Sequence, residues 1–239
     1  MTSLFEALVD DAGLFPPTSL HMRDALERHQ RDQEQGNPVL THRFLCPTSR
    51  LDALRRTGTV PDRIGLIVDT ADLPDLSDLP VDFIETRSPE LVAPQGTRLF
   101  LEVPPRKPTA DAPGLKVRCG GLTADAFPAV EQLGFFLQFC VDNDIPFKAT
   151  AGLHHAVRHF DPSLGVDRHG FLNLVLAVCE AVEQRDPVPV LRTSDVGSLV
   201  RLARAVPEET AERARQLLVS YGSCSTSTPI EDLTTLGVI

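Results

Sequence analysis

Short apolar runs alternate with stretches of helical periodicity through most of the chain, the pattern of repeated βα units around a mainly parallel sheet. The apolar runs predict strands over residues 39–46, 63–69, 81–86, 98–103, 115–119, 146–150 and 217–223. An eighth is expected near 188–192, although Pro187 and Pro189 count against a central strand there. Helices are predicted over 21–35, 49–57, 126–143, 172–184 and 208–216. The clearest is 126–143, in which Val130, Leu133, Leu137 and Val141 recur at helical spacing and would press against a sheet. Segments rich in Pro and Asp at 73–80 and 104–113 read as loops inside one domain spanning 1–239, because strands continue after each. Seven or eight strands at this spacing favour an α/β fold of the (β/α)8 TIM-barrel type, with an irregularity expected near the seventh unit. An open doubly wound sheet ranks second, since no Gly-x-Gly-x-x-Gly follows the early strands.

Composition narrows the function classes. With 42% hydrophobic and 23% charged residues, the 239-residue chain is an ordinary globular protein rather than a disordered or fibrous one. Its net charge of −10 gives no basic footprint for phosphate backbones, so nucleic acid is not expected as a partner. No run approaches the roughly 18 apolar residues of a membrane span, and residues 1–10 lack the pattern of a secretory leader. A cytoplasmic protein without membrane partners is therefore expected. The five cysteines are widely spaced with no Cys-x-x-Cys pair, which indicates neither a disulfide framework nor a thiolate zinc site.

Three Lys (Lys107, Lys116, Lys148) stand among 20 Arg, so a retained Lys is a candidate for service as an amine rather than as a fixed charge. In a barrel, reactive groups sit at the carboxyl ends of the strands. Those ends carry Cys46, Asp69, Glu85, Glu102, Lys116 with Arg118, Lys148 with Thr150, and the Ser223 region. Lys116 and Arg118 share one strand face, as do Lys148 and Thr150. Asp69 and Glu85 are equally readable as solvated surface charges, whereas Glu102 follows three apolar residues and needs a cationic partner. Asp10 and Asp11 either reach the site from the N-terminal segment or end a helix ahead of a turn.

The leading catalytic set is Lys148 as a Schiff-base amine, Glu102 or His154 as proton shuttle, and Lys116 as a nearby positive charge that, with Arg118, keeps Lys148 partly neutral. Arg118, Gly120, Gly121, Thr150, His155, Ser223 and Ser225 are the candidate substrate-binding residues, suited to a small anionic carbonyl compound. A buried Lys148–Glu102 ion pair is the plain structural alternative. No cofactor is expected on this reading. The rival reading uses the histidine cluster: His154 and His155, with a carboxylate such as Asp161, Asp167 or Glu102, would hold a divalent metal for hydrolase or lyase chemistry, and His155 with His159 have i, i+4 spacing. A non-catalytic barrel that binds a small ligand is the third. The apolar stretch 172–182 suits either a homodimer interface or packing on the barrel.

The segment Lys148-Ala-Thr-Ala-Gly152 resembles the Lys-x-Ser/Thr-x-Gly strand of deoxyribose-phosphate aldolase, a class I aldolase barrel. That resemblance covers about a dozen residues and implies an imine-forming lyase with Lys148 as the amine. Lys116-Val-Arg-Cys-Gly-Gly is similar in wording to a stretch of quinolinate phosphoribosyltransferase, another barrel-like enzyme. Over nearly the whole length, Asp10-Asp-Ala-Gly-Leu-Phe-Pro-Pro, Lys116-Val-Arg-Cys-Gly-Gly, the Pro146–His155 segment, His169-Gly-Phe-Leu-Asn and Gly222-Ser-Cys-Ser together resemble a family of uncharacterised bacterial proteins common in actinobacteria. This wider resemblance implies a barrel fold and a cytoplasmic home, and no particular reaction.

Overall fold

A computed structural model describes residues 3–239; Met1 and Thr2 lie outside the described residues. Eight parallel strands close into a barrel: β1 (Val9–Asp11), β2 (Leu40–Pro47), β3 (Ile64–Ile67), β4 (Val81–Thr86), β5 (Arg98–Glu102), β6 (Leu115–Arg118), β7 (Phe147–Thr150) and, after a small antiparallel hairpin of β8 (His159–Asp161) and β9 (Val166–Arg168), β10 (Leu218–Ser223). The ring order is β1-β10-β7-β6-β5-β4-β3-β2, so the first and last barrel strands close the sheet. This is the (β/α)8 TIM-type architecture expected from the strand spacing.

The eighth strand is not at 188–192. That segment is the short helix α5 (Val188–Arg192), entered through Pro187 and carrying Pro189 in its first turn, where proline's missing N–H costs nothing. The strand that closes the barrel is instead the Val9–Asp11 stretch, in which two of three residues are acidic and all three are buried. It escapes an apolar-run criterion because its carboxylates are paired inside the protein.

Helices α1 (Met22–Gln35), α2 (Leu51–Thr57) and α3 (Val130–Asp142) follow β1, β2 and β6 as a regular barrel requires. No helix follows β3, β4 or β5; loops 68–80, 87–97 and 103–114 run there, and Leu73, Leu76, Leu79 and Leu91 cover the outer face of β3 and β4 in place of helices. The irregularity expected near the seventh unit is real but wider. Between β7 and β10 the chain builds the hairpin and then α4 (Phe171–Val182), α5, α6 (Val196–Ala205) and α7 (Glu208–Leu217), and α8 (Ser227–Thr235) ends the chain.

Helix α4 is apolar on every side and buried accordingly. It is surrounded by α3, α5, α6 and α7, and Phe171 stacks on Tyr221 of β10 with ring centroids 5.4 Å apart. Its one fully buried polar residue, Asn173, spends its amide on the Val190 and Thr193 carbonyls, both at 2.8 Å, and Glu180 pairs with Arg185 at the partly exposed end. The 172–182 face is thus consumed by packing within the chain and is not available as a dimer surface. None of the helices is long and apolar enough to cross a membrane among the described residues.

Candidate functional site

Alternate residues of each strand point into the barrel, and the interior they build is charged to an unusual degree. Toward the bottom, Arg43 of β2 bonds Asp82 (3.0 Å) and Asp10 (2.7 Å). Asp10 also accepts from Thr41 (2.7 Å), Ser220 (2.7 Å) and the Lys148 ammonium. Lys148 donates to Ser220 (2.6 Å), lies 3.7 Å from Glu85 and sits 4.1 Å from the centre of the Phe83 ring. Glu85 in turn accepts from Lys116 (2.5 Å), and Lys116 reaches Glu102 (3.1 Å). Glu102 is completed by Arg87 (2.8 Å) and more distantly by Arg118 (3.9 Å). Positive and negative groups therefore alternate from Asp82 at the bottom to the arginines at the mouth. Each buried charge needs such a partner, because an isolated one would be severely destabilising.

Titration follows from this arrangement. Burial pushes the Asp10 carboxyl up, but Lys148 and Arg43 outweigh it and hold the group below the usual carboxylate range. Glu102 behaves alike: burial raises it, and Lys116, Arg87 and Arg118 bring it below its ordinary value. Burial pulls the Lys148 ammonium down against the opposing pull of Asp10 and Glu85.

Above the ladder, at the C-terminal ends of the strands, lies a cavity of about 600 Å³, a size suited to a small-molecule ligand. Lys116, Glu85, Glu102 and Thr150 line its floor, and Arg87, Arg118, Arg168, His154, Ser223 and Cys224 line its walls. Beyond Thr150 the backbone turns through two successive left-handed residues, Ala151 (φ 58°) and Gly152 (φ 76°). A side chain at Gly152 would strike the Cys119 carbonyl oxygen and Gly120 Cα at 2.9 Å, so only glycine permits this turn, which brings His154 to the cavity wall. Burial, with Arg168 nearby, lowers the His154 pKa and keeps its imidazole neutral at pH 7. Its Nδ1 lies 3.6 Å from the Cys224 thiol, a neighbour for Cys224 that the sequence does not reveal.

The candidates divide into those the fold brings together and those it does not. Lys116, Glu102, Arg118, Gly121, Thr150, His154 and Ser223 all face the cavity. Lys148 lies one layer below, 1% exposed, and does not line the wall; its partner is Asp10 and not Glu102. Gly120 packs against Gly152 and Phe127. Ser225 accepts from the Thr228 amide in the first turn of α8 (3.2 Å), away from the wall. His155 points outward, its side chain 55% exposed and 3.3 Å from Asp232. Its i, i+4 neighbour His159 meets it edge to face at 5.2 Å, but on the hairpin rather than a helix. Because His154 and His155 diverge, the proposed metal set does not assemble; among the described residues no three His, Cys, Asp or Glu side chains converge as metal ligands.

Two residues central to the site were undervalued by sequence reasoning. Glu85, readable as a surface charge, is 3% exposed and bridges both lysines. Asp10, readable as a helix end, is fully buried inside the barrel. A signal for Glu85 was present, since it stands two residues after Phe83 in an alternating strand and so shares its inward face.

No protein-family model matches the chain, and no curated protein or solved structure does so either. Fold and site alone define the class: a (β/α)8 barrel with a charged ligand cavity at its C-terminal mouth.

Proposed function

We propose that the protein is a lyase of the aldolase type, acting through an imine on a small anionic carbonyl compound. The observation that carries this reading is the Lys116 amine on the cavity floor, held between Glu85 and Glu102. An amine, a carboxylate to take its proton and a second to protonate the departing oxygen are what imine formation needs. Lys116 Nζ adds to the substrate carbonyl carbon and Glu85 accepts the ammonium proton. Glu102, a carboxylate, passes the second nitrogen proton to the carbinolamine oxygen, Glu85 returns the first, the oxygen leaves as water, and the protonated imine remains. The bond between the carbons α and β to the former carbonyl then breaks, its electron pair flowing to the iminium. His154, neutral at pH 7, takes the proton from the hydroxyl on the departing fragment, which leaves as a second carbonyl compound. His154 returns that proton to the enamine carbon, which restores an iminium, and water reverses the first steps and releases the product.

Arg118 binds the substrate's anionic group: its only carboxylate neighbour is 3.9 Å away, and 44% of its side chain is open to the cavity side. Thr150 sits beside it in register on β7. Lys148 and Asp10 act from beneath by fixing Glu85. This moves the reacting amine from Lys148, favoured by sequence, to Lys116.

Borohydride trapping with a panel of small aldehydes, ketones and keto acids tests the proposal, read by intact mass and peptide mapping. The expected result is a reduced adduct on Lys116 that is absent in Lys116→Met. A broad panel that leaves every lysine unmodified would overturn it.

A further inference from the structure

The ring order of the barrel divides the cavity in two. With eight strands in the order β1-β10-β7-β6-β5-β4-β3-β2, β2 stands across the mouth from β6, β3 across from β7, and β1 across from β5. The strands β4 to β7 bring Glu85, Glu102, Lys116, Arg118 and Thr150 to the cavity. The opposite arc brings Leu45 from β2, Ile67 and Val68 from the end of β3, and Ala12 and Phe15 from the end of β1. Leu45 thus faces Lys116 and Arg118 across the mouth, and Ile67 faces Thr150.

The one acid in the apolar arc, Asp69, is already engaged. It accepts from Thr48 (2.8 Å), from the Ser49 amide (2.9 Å) and from the Ser49 hydroxyl (2.6 Å). Beyond one remaining lone pair on Asp69 Oδ2, no free donor or acceptor of that arc is left for a ligand hydroxyl among these side chains. A polyhydroxylated substrate would lose its water there without replacement, which is costly, whereas a hydrocarbon group would gain by leaving water.

We infer that the natural substrate is amphipathic: a carbonyl compound with its anionic group against Arg118 and a hydrocarbon tail of several carbons laid across the mouth onto Leu45, Ile67 and Phe15. The inference rests on the reading of the cavity as a carbonyl site. It deepens that reading by favouring 4-hydroxy-2-oxo acids with a hydrocarbon tail, or comparable hydroxy keto acids, over sugar-like compounds; the plain 2-oxo acids serve as binding probes that lack the hydroxyl needed for cleavage.

The test is calorimetric binding of a straight-chain 2-oxo acid series: pyruvate, 2-oxobutanoate, 2-oxopentanoate, 2-oxohexanoate and 2-oxooctanoate. Affinity should rise by about three- to fourfold for each methylene added until the arc is filled. Ile67→Asn should flatten the rise while leaving pyruvate binding near its original value, and Leu45→Ser serves as a second variant if the first folds poorly. Affinity that stays level or falls with chain length in the wild-type protein would overturn the inference. The same series run on Lys116→Met separates the two proposals. A chain-length gain with no borohydride adduct in the wild type sinks the imine and leaves the amphipathic substrate standing; an adduct with no gain does the reverse.

Discussion

Lys116 and Lys148 stand opposite one another in register on β6 and β7, yet only Lys116 meets the cavity. The difference lies in what closes over each amine. Lys148 is enclosed by Asp10, Ser220 and the Phe83 ring, whereas Lys116 is flanked by Glu85 and Glu102 with the cavity above it. One Lys is placed to react and the other to hold the interior together.

The two lysines should therefore fail differently on substitution. Lys116→Met should abolish the borohydride adduct and lower turnover at least a hundredfold, the order expected for loss of a reacting group; it too should cost stability, because the buried Glu85 keeps only the more distant Lys148 as a partner. Lys148→Met leaves Asp10 and Glu85 short of a buried partner and should cost about 3–5 kcal/mol of stability. Urea unfolding beside adduct formation for both variants checks the pair; an adduct that survives in folded Lys116→Met but not in folded Lys148→Met would contradict the division of roles.

The interior ladder sets the acid limit of the fold. The folded pKa of Asp10 and of Glu102 lies below the ordinary value, so the unfolded chain binds protons first as pH falls. Their contribution is fully present above the unfolded carboxylate values of about 4 and is lost as pH drops through the folded ones. Unfolding free energy should thus change little through these groups between pH 7 and 5 and fall steeply below about pH 4. Asp10→Asn should be less stable at pH 7, by about 3–5 kcal/mol, and show a shallower acid loss. Urea titrations from pH 3 to 7 on both proteins provide the measurement.

Of the five cysteines, Cys224 alone faces the cavity. Burial pushes the Cys46, Cys119 and Cys179 thiols up to about 12 and raises Cys140 as well, leaving them unreactive at neutral pH. A disulfide reagent should therefore label one thiol in the native protein and five in denaturant. Cys224→Ser should remove the native signal, and a ligand in the cavity should slow it. Fast labelling of two or more native thiols would show the cavity to be differently lined.

Gly152→Ala should disturb the turn that delivers His154. The new Cβ adds a left-handed alanine and a 2.9 Å contact with the Cys119 carbonyl, a loss of about 2–3 kcal/mol. Gly36→Ala at the end of α1 has the same handedness (φ 62°) with nothing within 4 Å, and should cost only about 1 kcal/mol. Thermal unfolding of the two compares crowding with strain alone.

The strands β2 to β7 and β10 were legible because each is an apolar run bounded by polar turns, and the charged residues at their ends follow from the barrel rule. What escaped the sequence has physical causes. β1 is three residues long, and its acids are paired with Arg28, Arg43 and Lys148, from 17 to 138 positions further along the chain. The Val-Pro-Val-Leu stretch is apolar because α5 buries Leu191, not because it forms a strand. Helix α6 carried a visible signal in Asp195, which caps it by accepting from the Gly197 amide, with Leu199 and Ala203 on one face. The cavity residues were largely named in advance, but which lysine opens to solvent depends on Asp10 and Phe83, and that requires the closed ring.

The closing strand is also the earliest part of the barrel to be made. Asp10 bonds Lys148 across 138 positions of chain and Ser220 across 210. During synthesis its carboxylate must wait, hydrated, until almost all of the remaining polypeptide has emerged. The barrel cannot seal strand by strand from its N-terminus; its seam forms at the end, and neutralisation of the interior and completion of the ring are one cooperative event. Such long-range closure is slow.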